Sequence, residues 1–219
     1  MDQAIAQQGI AGSRAIVLTA KHGQSPQDPN LLTRIPDGPI IEAINNAWTA
    51  AHPGAGQLII AGTDDDLWQS YLSNRSQEAA DFVKNYLWTH SATGVTYSGA
   101  TRTLEHSGLT QIYAGEEAAA AFFGVPPSDP RHPDVFGRVQ VGVVYTTGSK
   151  IAEHGGDNPA DRDVPIVLYA PGAVTAAQIN DPVETTQVAP TILQMLGLKP
   201  GALAAVKIEG TKVLPTIGG

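Results

Sequence analysis

Ala15-Ile16-Val17-Leu18-Thr19-Ala20-Lys21-His22-Gly23-Gln24 is the stretch on which the reading of the whole chain turns. Its first five residues are a short, continuous apolar run, the pattern of a strand buried on both faces of an α/β sheet. Its last residues bring Lys21, His22 and Gly23 directly behind that strand, and in open α/β sheets functional groups gather at the C-terminal ends of strands. Upstream, residues 2–9 read as the closing turns of a helix that ends on Gly9. That helix has no N-cap, so the expectation is that its beginning is lost.

Downstream, helical and strand patterns alternate. Lys21 to Pro36 is a Pro-rich loop. Ile40, Ile44, Ala47, Trp48 and Ala51 form one apolar stripe at helical spacing, and His52-Pro53-Gly54 ends it. Leu58 to Ala61 is a second strand candidate, and a short third starts at Leu67. Ser76 is placed to N-cap a helix whose buried side is Ala79, Val83, Tyr86 and Leu87. Residues 90–112 are turn-rich and poor in apolar side chains. A short helix spans Glu116 to Phe123, closed by Gly124. Val139 to Tyr145 and Val164 to Tyr169 are strands, and a helix containing Pro190, Ile192, Leu193, Met195 and Leu196 ends at Gly197. The class is α/β: a central, mostly parallel sheet flanked by helices. Residues 1–219 are expected to form a single partial domain, with residues 53–135 as a loop-rich insertion or cap.

Composition excludes several functions. Among 219 residues there are 23 Gly and 16 Pro, too many for a helical bundle or coiled coil. The net charge of −8 disfavours binding of a nucleic-acid duplex but leaves room for a small phosphorylated substrate beside a local cation. With no cysteine, disulfides, thiolate zinc sites and cysteine nucleophiles are ruled out. No apolar run reaches membrane-spanning length, and the first ten residues do not read as a signal peptide.

Any metal ligand must therefore be His, Asp, Glu or a hydroxyl oxygen. Two segments each set a histidine before a glycine: Lys21-His22-Gly23, and Glu153-His154-Gly155-Gly156-Asp157 after the 139–145 strand. Neutral imidazole suits zinc and similar ions, and the neighbouring glycine leaves room for a sharp turn and a ligand. Alone, each pair is a weak signal and reads first as a loop histidine bonded to a nearby carbonyl. Glu153 and Asp157 are either carboxylates that orient His154 or exposed loop acids. Asp64-Asp65-Asp66 lacks the spacing of a calcium loop and reads as a solvated turn. His52, His90, His106 and His132 read as surface histidines. There is no G-x-S-x-G elbow and no phosphate-binding P-loop.

The segment Leu18-Thr19-Ala20-Lys21-His22-Gly23 resembles the S/T-x-D-H-G segment of the alkaline phosphatase superfamily, in its type I phosphodiesterase/nucleotide pyrophosphatase branch. Glu153-His154-Gly155-Gly156 with the strand after it resembles that family's last metal-binding histidine. Thr186 to Gly197 resembles the helix near the end of the family's catalytic domain. The matches fall in the family's order over nearly the whole chain. The resemblance implies an alkaline-phosphatase-like fold of bacterial style and a metal-dependent phosphoric ester hydrolase with two divalent ions, usually zinc. By motif position His22 matches a ligand of one ion and His154 a ligand of the other. Complete relatives are commonly periplasmic or secreted.

Two departures qualify what is implied. Lys21 stands where the motif has an Asp ligand, and an ammonium cannot ligate a cation. It either contacts phosphate in place of one ion or points to solvent. The family's nucleophile, its first Asp ligand and its Asp-x-x-x-His pair lie upstream of the match. The expectation is thus the C-terminal half of such a domain, whose partner is the missing N-terminal half, poorly soluble and inactive alone. The alternative is a non-catalytic remnant or binding domain with weak metal or phosphate affinity.

Overall fold

In chain order the elements are helix α1 (Asp2–Gln7), strands β1 (Ile16–Thr19) and β2 (Thr33–Ile35), helix α2 (Gly38–Ala51), strands β3 (Ile59–Asp64) and β4 (Leu67–Leu72), and helix α3 (Gln77–Thr89). Strands β5 (Ala92–Thr96), β6 (Thr101–Leu104) and β7 (Leu109–Ala114) follow, then α4 (Glu116–Ala118), β8 (Val135–Val139) and β9 (Val143–Tyr145). The chain ends with α5 (Pro159–Arg162), β10 (Ile166–Tyr169), α6 (Val188–Met195) and α7 (Ala204–Glu209). This computed structural model describes residues 2–10, 12–26 and 28–215, without the side chains of Asp2, Thr63 and Asp64. Met1 at the head of the first helix, and Asp64 as a cation ligand, therefore lie outside the described residues.

The chain divides into two compact units: residues 22–163, and residues 1–21 with 164–219. The larger unit holds two four-stranded sheets, in the orders β6-β5-β2-β9 and β3-β4-β8-β7. Pairing is antiparallel throughout except between β2 and β9. Its core is built from Ile35, Ile44, Trp48, Trp68, Leu87 and Val135 with their neighbours. The predicted helices form for the reasons the sequence gives. Ser76 accepts a hydrogen bond from the Ala79 N–H and caps α3, which buries Ala79, Val83 and Leu87. The apolar stripe of α2 buries Ile44 and Trp48. Between them Asn45, also buried, accepts from the Leu58 and Ile59 N–H groups at 2.9 and 2.8 Å and donates to the Ile59 carbonyl at 3.2 Å, fixing α2 against β3.

The smaller unit pairs β1 with β10 antiparallel, Ile16 opposite Tyr169. Among the described residues this is a two-stranded sheet, so β1 is not buried on both faces as its apolar run predicts. With no strand beyond it and one face uncovered, Leu18 is 65% exposed.

The turn-rich segment 90–112 also departs from expectation: it contains β5, β6 and the start of β7. In β5, Ala92, Gly94 and Thr96 are buried while Thr93 and Val95 face out, so the burying face carries small side chains that give little apolar signal. The strand expected over 139–145 is two strands, with a turn between them at Gly142, where φ is +95°. Among the described residues no helix is long and apolar enough to cross a membrane.

Candidate metal centre

The larger unit brings His22 and His154 together. Their ring centroids lie 5.1 Å apart. Three contacts hold the two segments in register. Ser25 and Glu153 form an isolated antiparallel bridge, with the Ser25 N–H donating to the Glu153 carbonyl at 3.1 Å and the Glu153 N–H to the Ser25 carbonyl at 2.9 Å. The Gly23 N–H donates to the Asp161 carbonyl at 2.7 Å. The Ser25 hydroxyl lies between two buried carboxyls, 2.6 Å from Asp66 Oδ2 and also in contact with Asp161 Oδ1.

The His22 ring is oriented by chemistry that leaves one tautomer. Its Nδ1 is 2.7 Å from the Gly23 carbonyl oxygen. A carbonyl only accepts, so Nδ1 carries the hydrogen, and in the neutral ring Nε2 keeps the free lone pair that a cation needs. His154 precedes Gly155, whose φ of +94° is open to glycine without strain.

Two carboxylates complete the cluster. Asp65 sits in the turn joining β3 to β4, and its carbonyl accepts the Tyr145 N–H of β9 at 2.7 Å. Ligand atoms of Asp65, Glu153 and His154 all lie within 4.8 Å of one another. Glu153 is buried, and its Oε2 is 3.9 Å from His154 Nε2. Its Oε1 pairs with Lys150 Nζ, which is also 3.6 Å from Asp65 Oδ1. Burial pushes the Glu153 carboxyl up. The Lys150 bond, the His154 backbone N–H and the Lys150 charge outweigh it, so Glu153 is held below its ordinary value. The Lys150 ammonium is raised, chiefly by its bond to Glu153.

An ionised Glu153, a half-buried Asp65 and the His154 imidazole make a nitrogen and oxygen donor set that fits a divalent ion of the zinc type, and the His22 ring lies beside that set with its centroid 5.1 Å from that of His154. Spacing in sequence identifies Glu153 only as a flanking acid, and it does not find Asp65 as a partner or Lys150 at all. The nearest signal was the Asp64-Asp65-Asp66 run. Asp66 itself is fully buried instead of solvated. Asp157 does not face His154; it pairs with Arg138 and, at 3.2 Å, with Arg162. Lys21 is exposed and closes the first segment of the other unit.

Of the other histidines, His132 is buried, contrary to expectation. Its ring nitrogens lie 2.7 Å from the Pro133 carbonyl and 3.2 Å from that of Pro127. His52, His90 and His106 stack on Trp48, Tyr86 and Trp88.

Over its whole length the chain superposes on the crystal structure of wild-type alkaline phosphatase PafA, with a TM-score of 0.66 at 17% identity, covering 41% of that chain. The fold is alkaline-phosphatase-like. A variant of the same phosphatase matches at a TM-score of 0.61 and 16% identity, with 100% of this chain and 40% of the other covered. Human ectonucleotide pyrophosphatase/phosphodiesterase 5 matches at 0.52 and 15% identity, over 99% of this chain and 46% of that one. The chain thus spans less than half the length of the structures it resembles. No protein-family model matches it, and neither does any curated protein sequence.

Proposed function

We propose that this chain carries the metal-binding part of a phosphoric ester hydrolase of the phosphodiesterase/nucleotide pyrophosphatase type, with His22 and His154 as ligands of divalent ions, zinc first among them. The observation that carries the reading is the 5.1 Å approach of two imidazoles that lie far apart along the chain. Bound ions in such a centre stabilise charge on phosphoryl oxygens. The chain's own residues do the positioning. The Gly23 carbonyl fixes the His22 tautomer, the Ser25–Glu153 bridge sets the distance to His154, and Glu153 and Asp65 supply negative charge to hold a cation. Hydrolysis, its nucleophile and its substrate, a small phosphorylated compound, belong in this reading to the assembled fold, of which the chain covers about two fifths.

Lys21, an ammonium where the resembled motif has a carboxylate, favours a second reading: a non-catalytic domain with weak metal or phosphate affinity. Two measurements separate them. Zinc titration of the full chain by calorimetry is expected to show saturable binding. His22→Ala and His154→Ala should each weaken it at least about tenfold, the usual scale for losing a ligand or its support. Wild-type affinity in both variants rejects the metal centre. Turnover of a chromogenic bis-aryl phosphate by the chain together with the rest of its fold supports the hydrolase; zinc binding without turnover supports the binding domain.

The partner in this reading is the remainder of the same domain. The smaller unit leaves Leu18, Val167 and Tyr169 of its two-stranded sheet exposed, and a groove of about 540 Å³ opens beside β10 between Ile166, Val174 and Leu214. Apolar surface of that kind seeks a cover. Alone, the 219-residue chain is expected to self-associate in sedimentation velocity. A single monomeric boundary with cooperative melting counts against a missing cover.

A further inference from the structure

We propose that Lys150 is the resident counter-cation of the candidate metal centre, occupying the Asp65 and Glu153 carboxylates until a divalent ion displaces it. The inference rests on the metal reading above and concerns how that same centre is filled.

The geometry gives one ammonium two carboxylates. Lys150 Nζ pairs with Glu153 Oε1 and lies 3.6 Å from Asp65 Oδ1, while the other Glu153 oxygen faces His154 Nε2 at 3.9 Å. Asp65, Glu153 and His154 offer ligand atoms within 4.8 Å of one another, so two negative charges share a small space. In the absence of a positive charge they repel, and the ammonium relieves that repulsion. A divalent ion taking the same carboxylates brings two positive charges to where Lys150 has one. Ammonium and ion repel each other at that distance, so filling the centre is an exchange: the ion enters as the ammonium leaves.

Lys150 is built to leave. Its side chain is 52% exposed, whereas that of Glu153 is 9% exposed. The lysine stem is flexible and its head is readily hydrated. The Ser25 bridge holds the Glu153 backbone and the His154 N–H holds its carboxylate at 3.3 Å while the cation swings into water. The centre is thereby kept neutral enough to fold without metal, at the cost of affinity.

The test is zinc affinity of the full chain, measured by competition with a chromophoric chelator at neutral pH and low salt. Lys150→Met and Lys150→Gln remove the competing charge and are expected to bind zinc at least tenfold tighter than the wild type. Lys150→Arg keeps the charge and should match the wild type within about threefold. Unchanged or weaker binding in the Met and Gln variants overturns the role of Lys150 while leaving the metal centre standing. No zinc binding by any of the proteins overturns both. Melting curves accompany each titration. If one variant unfolds, the other decides. Unfolding of both also overturns the proposal, because a half-exposed ammonium that yields to metal cannot be indispensable to the fold.

Discussion

Gly23→Ala is expected to separate the two histidine segments, lowering the stability of the chain by about 3 kcal/mol and its zinc affinity by at least tenfold. A Cβ at position 23 would lie 2.1 Å from the Ala160 carbonyl oxygen and 3.0 Å from Asp161 Cα. Both neighbours are backbone atoms of α5, and a carbonyl oxygen cannot rotate away as a side-chain tip does. Either α5 moves or the segment carrying His22 moves, and in both cases the hydrogen bond from the Gly23 N–H to Asp161 is lost. That bond lies one residue from His22, so a shift there changes the approach of His22 to His154 directly. Gly148→Ala is the control, since its nearest atom, Thr146 Oγ1, is 3.5 Å away. It should change stability by no more than about 0.5 kcal/mol. Denaturant melts with zinc titrations compare the two. Equal stability and equal affinity in both variants would mean that the Gly23 contact with α5 does not hold the site.

How much of this was legible in the sequence depended on where the information lay. α2 and α3 were readable because a helix writes its buried face at fixed spacing, and Ser76 marked the start of α3. β5 and β6 were not. The inward positions of β5 are Ala92, Gly94 and Thr96 and its outward ones Thr93 and Val95, and β6 is Thr-Arg-Thr-Leu with no buried position, so burial left no alternation of hydropathy to read. The antiparallel ribbon of β1 and β10 was also beyond reach, because an apolar run looks the same whether or not a second face is covered.

The candidate site divides in the same way. His22 and His154 stood out because each precedes a glycine after a strand, a local signature. Asp65, Lys150 and the Ser25–Asp66–Asp161 cluster carry no such mark. Asp65 reaches Lys150 and Glu153 only because the β3–β4 turn is held by the Tyr145 N–H from β9, and nothing in a run of three aspartates announces which one points inward. The triplet splits by environment: Asp65 half-buried beside a cation, Asp66 sealed beside another carboxyl. One faces the site and the other supports it from behind.

Asp66 sets the last expected result, a stability that falls as pH rises. Burial, with the neighbouring Asp161 carboxyl, pushes Asp66 up from 3.8 to about 8, against the opposing pull of the Ser25 hydroxyl. The hydrogen inventory agrees. Ser25 has one hydroxyl hydrogen and two carboxyl neighbours, so it donates to only one of them. Asp161 also accepts the Asn158 N–H at 3.2 Å, whereas Asp66 Oδ1 is buried with no partner among the described residues. Asp66 is therefore the protonated member. Between the unfolded value of 3.8 and the folded value of about 8, the folded chain holds one proton more than the unfolded chain. The stabilisation is complete below that window. It declines by up to about 1.4 kcal/mol per pH unit across it and is lost once pH passes the folded value. Asp66→Asn keeps the shape and removes the titration, so its stability should be flatter with pH and should exceed that of the wild type above pH 8. Urea melts of both proteins in chelator, from pH 5.5 to 8.5, isolate the effect of the Asp66–Asp161 pair, because groups away from it titrate alike in the two. Parallel curves would show that Asp66 does not hold the proton. Because Ser25 belongs both to this cluster and to the bridge with Glu153, the same rise in pH that ionises Asp66 should loosen the approach of His22 to His154. Zinc affinity measured over that range is then expected to fall in the wild type above pH 8 and to hold in Asp66→Asn.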